Sequence, residues 1–393
     1  MPMNRAWIIG AVAALCIALC GCGRGDAPAD VTAFASADDK ALASCDFRLL
    51  AAVADMAAGV DANLPGAHVL AAIDTSSVAD IPALFKYGRS GAFAFLSLKD
   101  SKAFAKSVEE TTGAKPEKDG RYEAYAIDGG GKVMVTSGFA CFVPAGIGAG
   151  DVDSLIARAK EHPLVGWRKE AITRGNAANI ICAMPERSQL RSLYGARPVA
   201  FTLSADIIDE HFSADASVRD ADGNPMQMSI KERIDTSLLQ YATAGADLVA
   251  LAALPGGFDW RGLLAGTDLA SLSPALAKTD GTQMVSYNTR TRNFAVAFEL
   301  TPKAADKEMV YGEFYGVKRK GNTLIFSLDH SEEGGASLPG LTEKAYVAYV
   351  WARCANGPLN LNGDLWFDGR LLHADFTGKN PERSLKALVG FFL

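Results

Sequence analysis

Alternation is the clearest pattern in the chain. Ala92-Phe-Ala-Phe-Leu-Ser-Leu98 and Asn293-Phe-Ala-Val-Ala-Phe-Glu-Leu300 set larger apolar side chains against smaller ones. Side chains on an extended backbone point to opposite faces in turn, so both segments are predicted strands. Asp100 and Thr301 follow as N-caps of helices, since a short side-chain oxygen satisfies the first free amides. Asp128-Gly-Gly-Gly131 and Asp368-Gly369 mark hairpin turns. Between 145 and 194 the spacing becomes largely helical. It predicts helices at Asp151–His162, Trp167–Arg174 and Glu186–Tyr194, with a strand at Asn179–Met184. Asn224-Pro225 and Asn380-Pro381 read as the starts of two closing helices, because proline is tolerated at the first helical position.

These elements recur. Ala41-Leu-Ala-Ser-Cys-Asp-Phe-Arg48 parallels Val249–Leu254 with Phe258-Asp-Trp-Arg261. Lys118-Asp-Gly120-Arg-Tyr-Glu-Ala-Tyr-Ala-Ile-Asp128 parallels Arg319-Lys-Gly321-Asn-Thr-Leu-Ile-Phe-Ser-Leu-Asp329. Phe93 and Phe294, Gly120 and Gly321, and Asp128 and Asp329 are each 201 positions apart. A constant offset points to duplication. The expected fold is therefore α+β: two related modules, 38–244 and 245–393, each mainly antiparallel sheet with helices packed on one face. The first carries an insertion over about 145–194.

The N-terminal stretch has a different character. Arg5 precedes an uncharged run from Ala6 to Leu19, short for a spanning helix of about 20 residues and suited to the core of an export signal. Leu19-Cys20-Gly21-Cys22 then resembles the bacterial lipobox, with Leu three places ahead of a Cys and a small residue directly before it. That resemblance implies a signal peptide over 1–21, lipid on Cys22, and a tether over 22–37. The partner it implies is the membrane itself. Gly23, where an Asp would favour inner-membrane retention, points to the outer membrane.

Three further segments carry a wider resemblance: Ala41–Leu50, Lys99-Asp-Ser-Lys-Ala-Phe104, and Asn380-Pro-Glu-Arg-Ser-Leu-Lys386. In these the chain resembles a family of uncharacterised Bacteroidales lipoproteins with tandem α+β modules. The resemblance implies location, architecture and display at the cell surface. It transfers no functional residue.

Composition narrows the function. With 49% hydrophobic and 21% charged residues, core formation is assured. A net charge of −6 without a basic cluster argues against nucleic acid. Cys45, Cys141, Cys182 and Cys354 are far apart, mostly in apolar runs, and read as buried thiols. Export would also permit disulfides, and spacing does not choose a pairing. The chain contains no Gly-x-Ser-x-Gly, phosphate-binding loop or His-Glu-x-x-His, and no cofactor is expected. Its five histidines, His68, His162, His211, His330 and His373, are too dispersed for a local metal pair. A site built from distant residues could still bring His211 and His373 into equivalent places.

Weaker candidates remain. Asp220, Asp222 and Asn224 alternate oxygen ligands as a calcium loop does, but Pro225 and Lys231 stand where that loop wants Gly and Glu. Gly146-Ile-Gly-Ala-Gly150 precedes a helix, but Asp151 would repel phosphate there. Asp206, Asp209 and Glu210 gather carboxylates. Tyr346, Tyr349, Trp351 and Trp366, with Tyr311, Phe314 and Tyr315, concentrate aromatics in the second half. Exposed, they would suit binding of a glycan or an envelope protein. The leading expectation is a non-enzymatic, lipid-anchored envelope protein, binding or structural. The alternatives are a hydrolase of glycans or peptides with an assembled site, and a pilus-like surface-assembly component.

Overall fold

The computed structural model describes residues 28–46, 69, 73, 75–80, 82–88, 91–184, 194, 198–230, 232–253, 279–301, 316–327, 334–339, 341, 345–353 and 361–378. The chain divides into two compact units. One comprises residues up to Asp39 with Ser44–Leu164, the other Lys40–Ala43 with Val165 onward. Strand β1 (Ala41–Cys45) supplies residues to both.

The first unit holds β2 (Ala83–Gly88), β3 (Gly91–Ser97), β4 (Glu117–Asp119), β5 (Tyr122–Ala126), β6 (Lys132–Val135) and β7 (Phe139–Val143). They pair antiparallel in the order β2–β3–β7–β6–β5–β4. Helix α1 (Ser101–Thr112) begins at Asp100, whose carboxylate accepts from the amides of Lys102 and Ala103. It packs on β5 and β6 through buried Phe104 and Val108. Helix α2 (Ala149–Glu161) packs instead on a 3-10 turn, Val31–Phe34. Phe34 meets Phe95 and Phe139 edge-on, with centroids 5.3 and 5.2 Å away. Ala29 N donates to Gly138 O and Val31 is fully buried. The folded part thus begins well before residue 37, because Val31 and Phe34 are apolar anchors within the polar stretch.

The second unit holds helix α3 (Gly166–Ile172), packed on β8 (Ala178–Ala183). Further strands are β9 (Ala200–Ile208), β10 (His211–Arg219), β11 (Leu248–Ala253), β12 (Thr279–Tyr287), β13 (Phe294–Leu300), β14 (Gly316–Lys320), β15 (Thr323–Ser327), β16 (Ala348–Arg353), β17 (Leu361–Phe367) and β18 (Leu372–Gly378). Their antiparallel order is β8–β9–β10–β18–β17–β16–β11–β12–β13–β15–β14. Leu251, Met284, Ala297, Ile325 and Tyr349 form a core under the 3-10 turn Thr236–Tyr241.

The α+β expectation is thereby corrected. The described residues are mostly antiparallel strand, and the three helices described along their length cover separate patches without forming a layer. The closing helix expected from Asn224 is a loop. Asp220 N donates to Asn224 O, the Asn224 amide donates to Asp220 Oδ1, and Pro225 bridges to Arg219, so the segment continues the sheet. The helix expected from Asn380, the helix Glu186–Tyr194 apart from Tyr194, and the helix after Thr301 lie outside the described residues.

The repeated hairpin keeps its register. Glu117↔Ala124, Lys118↔Glu123 and Asp119↔Tyr122 recur as Lys318↔Ile325, Arg319↔Leu324 and Lys320↔Thr323. Gly120 (φ 60°) and Gly321 (φ 62°) both take the left-handed turn position that glycine enters without a Cβ clash. The surroundings differ: β15 pairs directly with β13, whereas β6 and β7 stand between β5 and β3.

Cys45, Cys141 and Cys182 are buried free thiols. Burial raises the pKa of each, that of Cys182 to about 12. Since the thiolate is the nucleophile, iodoacetamide at pH 8 should leave all three unmodified in the folded protein and alkylate them in urea. Peptide mass mapping would reveal the contrary, namely alkylation of any of them before unfolding.

Candidate functional site

Strand β10 reads His-Phe-Ser-Ala-Asp-Ala-Ser-Val-Arg, polar and apolar in strict alternation. Paired with β18, it sorts side chains to two faces. Phe212, Ala214, Ala216, Leu372, Ala374 and Phe376 are buried on one. The other carries His211, Ser213 and Asp215 beside Thr377, Asp375 and His373. The register extends this second face across neighbouring strands, with Ser204, Asp206 and Ile208 on β9 and Asn362, Asp364 and Trp366 on β17. Tyr349, Trp351 and Arg353 on β16 complete it.

Two His–Asp pairs span the β10–β18 seam. His373 Nδ1 lies 2.8 Å from Asp215 Oδ1, directly opposite in the ladder. His211 Nε2 lies 3.0 Å from Asp375 Oδ1, one diagonal away. Their exposures are 32% and 58%, and 43% and 57%, so water screens both pairs. A general acid or base is usually tuned by burial, and these groups are open. Next to them Asp364 accepts from the Tyr349 hydroxyl (3.0 Å) and Arg353 (3.2 Å), while Arg353 lies over the Trp351 ring. Burial, then the bond to Asp364, pushes the Tyr349 hydroxyl pKa up. Asp206 accepts from Ala177 N and Asn176 Nδ2.

The aromatic candidates are brought together. Tyr346 stacks near Tyr349 (5.7 Å) and Trp366 (5.5 Å), and Trp366 meets the His373 ring at 5.1 Å. Tyr349 is buried, and Tyr346, Trp351 and Trp366 are partly buried against the core. Tyr346, Tyr349 and Trp366 each lie alongside another ring, which covers a face that a sugar ring would need. Tyr311, Phe314, Tyr315, Cys22 and Cys354 lie outside the described residues.

His211 and His373 stand on adjacent strands. The third carboxylate group splits: Asp206 is on the face, whereas Asp209 and Glu210 turn the β9–β10 hairpin. In the calcium-like loop, Asp220 Oδ1 accepts from the amides of Asp222 and Asn224, and Oδ2 from Asn224 Nδ2. These bonds lower its pKa and use the lone pairs a cation would need. No group of three or more His, Cys, Asp or Glu suited to a metal forms among the described residues. Ahead of α2, Asp151 accepts from Gly148 N and Asp119 from Ala149 N, so carboxylates already fill the anion position.

Asp215, Asp375, Asp364 and Arg353 were not singled out from sequence. The alternation in His211–Arg219 and Leu372-His-Ala-Asp-Phe-Thr377 was the available signal.

No protein-family model matches the chain, and no curated protein matches it. Among solved structures, three crystal forms of TP0453 show a slight likeness. Forms IV, I and III each give a TM-score of 0.33 at 10%, 9% and 10% identity. They cover 49%, 51% and 49% of this chain and 81%, 82% and 79% of theirs.

Proposed function

We propose that the chain is a lipid-anchored binding protein of the bacterial envelope, held by acyl chains on Cys22 to the outer membrane. Its polar face over β9, β10, β18 and β17 receives a protein partner. The observation that carries this reading is the pair of open His–Asp contacts on a face backed by a buried apolar one. Planar carboxylate, imidazole and guanidinium groups fixed on strands offer directional hydrogen bonds at little entropic cost. A glycan is less favoured because the rings stack on one another. A hydrolase is less favoured because the ionisable groups are solvated. Assembly by strand addition is less favoured because β4 and β14, each paired on one side among the described residues, carry Glu117-Lys118-Asp119 and Lys318-Arg319-Lys320. Charged edges discourage pairing.

A photo-crosslinking residue in place of Ser213, at the centre of the face, tests the proposal on intact cells. The expected result is one discrete adduct, lost on combining Asp215→Asn with Asp375→Asn. The same residue in place of Lys106, exposed on α1, should not give it. No adduct from position 213, or the same adducts from both positions, would overturn the reading.

A further inference from the structure

At the Arg219 end of β10 the polar face terminates in three guanidinium groups. Arg219 Nε donates to Thr202 Oγ1 (3.1 Å) and its Nη1 to Gly223 O (3.0 Å). Arg174, in the turn after α3, places Nη1 3.4 Å from Ser204 Oγ. Thr202 and Ser204 are two apart on β9 and share a face, which ties Arg174 to Arg219. Arg370, in the β17–β18 turn, donates Nε to Pro225 O (3.2 Å), two residues along from Gly223. The loop thus ties Arg219 to Arg370.

The loop is held in place. Gly223 (φ 85°) lies so close beneath Trp167 that a Cβ would sit 2.3 Å from the indole, and Trp167 Nε1 donates to Ala221 O.

Three like charges gather here, and Asp220 offsets them in part at Arg219. None of the three arginines forms an ion pair among the described residues. Asp220, the acid nearest Arg219, is engaged by amides. Burial, then the charges of Arg174 and Arg370, lower the Arg219 pKa. Each guanidinium has five N–H donors, and among the described residues four bonds run from the three side chains to protein atoms. Asn179 stands opposite Ser204 on β8. It is 1% exposed, and its Oδ1 has no hydrogen-bond partner among the described residues.

We infer that Arg174, Arg219 and Arg370 form a binding site for a phosphoryl group, carried either by a small soluble molecule or by a lipid head group. Guanidinium forks match phosphate oxygens two at a time. The inference rests on the binding reading of this face and names a ligand chemistry for one end of it.

Isothermal titration of the purified full chain tests it with inorganic phosphate and with a short-chain phosphatidic acid, against the corresponding phosphatidylcholine. Saturable binding of one phosphoryl probe per chain is expected, weakened at least tenfold by Arg370→Gln. Arg370 is exposed, so that variant should fold as the parent does. Arg174→Gln serves as a second exposed variant. Binding of both probes points to a soluble ligand, and binding of the lipid alone to a head group; either supports the site. Binding of neither probe, or binding indifferent to both substitutions, overturns it. If that happens while the adduct from position 213 persists, the phosphoryl site fails and the reading of the face as a binding surface stands.

Discussion

Replacing Lys86 with Met should destabilise the first unit by about 3–5 kcal/mol, the usual cost of removing one partner of a buried ion pair. Lys86 lies in β2 at 2% exposure, with Nζ 3.1 Å from Asp39 Oδ2 and 2.8 Å from Phe34 O. Asp39 is itself 9% exposed and accepts from Ser36 N at 2.8 Å. Take away the ammonium and the carboxylate keeps the Ser36 amide but loses the charge of Lys86 in a largely buried site. The pair also lines a partly open pocket of about 140 Å³ with Ser36, Asp38, Phe93 and Arg158. Asp39→Asn should cost less than Lys86→Met, because a neutral amide can still bond. The double variant should recover part of the loss, since no isolated charge is left behind. Urea unfolding followed by circular dichroism measures all three. Single variants within about 1 kcal/mol of the parent would show that solvent or another group stabilises the charge.

That pair illustrates what the sequence could reveal. Ala83-Leu-Phe-Lys-Tyr-Gly88 sets a charge inside an apolar run, which signals a buried partner without saying which acid. The partner came from Asp39, two residues past the stretch that composition had assigned to the tether. Elements set by local chemistry were legible: the Asp100 cap, the strands around Phe93 and Phe294, and the turns at Asp128 and Asp368; the offset of 201 was legible too, and the hairpins at Gly120 and Gly321 share one register. The turn at Asp220 was also legible as a turn, because Asp, Gly and Asn favour it.

What failed was inference from one element to the architecture. Asn224-Pro225 has the composition of a helix start, but Asp220 captures the Asn224 amide, and Met226 N donates to Val218 O. One local signal lost to another, the turn that folds Met226 back on Val218. The candidate site was half legible in the same sense. The aromatic residues declared themselves by density, and their ring contacts follow from β16 lying beside β17. The His–Asp pairs join residues 158 and 164 positions apart in sequence. They exist because β18 returns to lie against β10, a pairing no local pattern specifies.

Cys22→Ser should abolish fatty-acid labelling of the protein, and Cys20→Ser should leave it intact. The proposed chemistry requires a thiol at position 22, since the first lipid is attached to sulfur before the signal is cut. Serine is close in shape and leaves the apolar run Ala6–Leu19 untouched, so recognition by the export machinery should persist. Each acyl chain contributes about 0.8 kcal/mol per buried methylene, and one chain holds only marginally; two or three on one cysteine would fix the protein firmly. Metabolic labelling with radioactive palmitate reads the outcome directly. Gel mobility adds a second reading, because an unprocessed precursor should accumulate with residues 1–21 attached. Label on the Cys22→Ser protein equal to the parent's would sink the anchor assignment. Membrane fractionation alone would not decide, since an uncut apolar signal can itself retain the chain. Ala29 is already hydrogen-bonded into the first unit, so the proposed anchor at Cys22 lies at most about 25 Å from it along a fully extended chain.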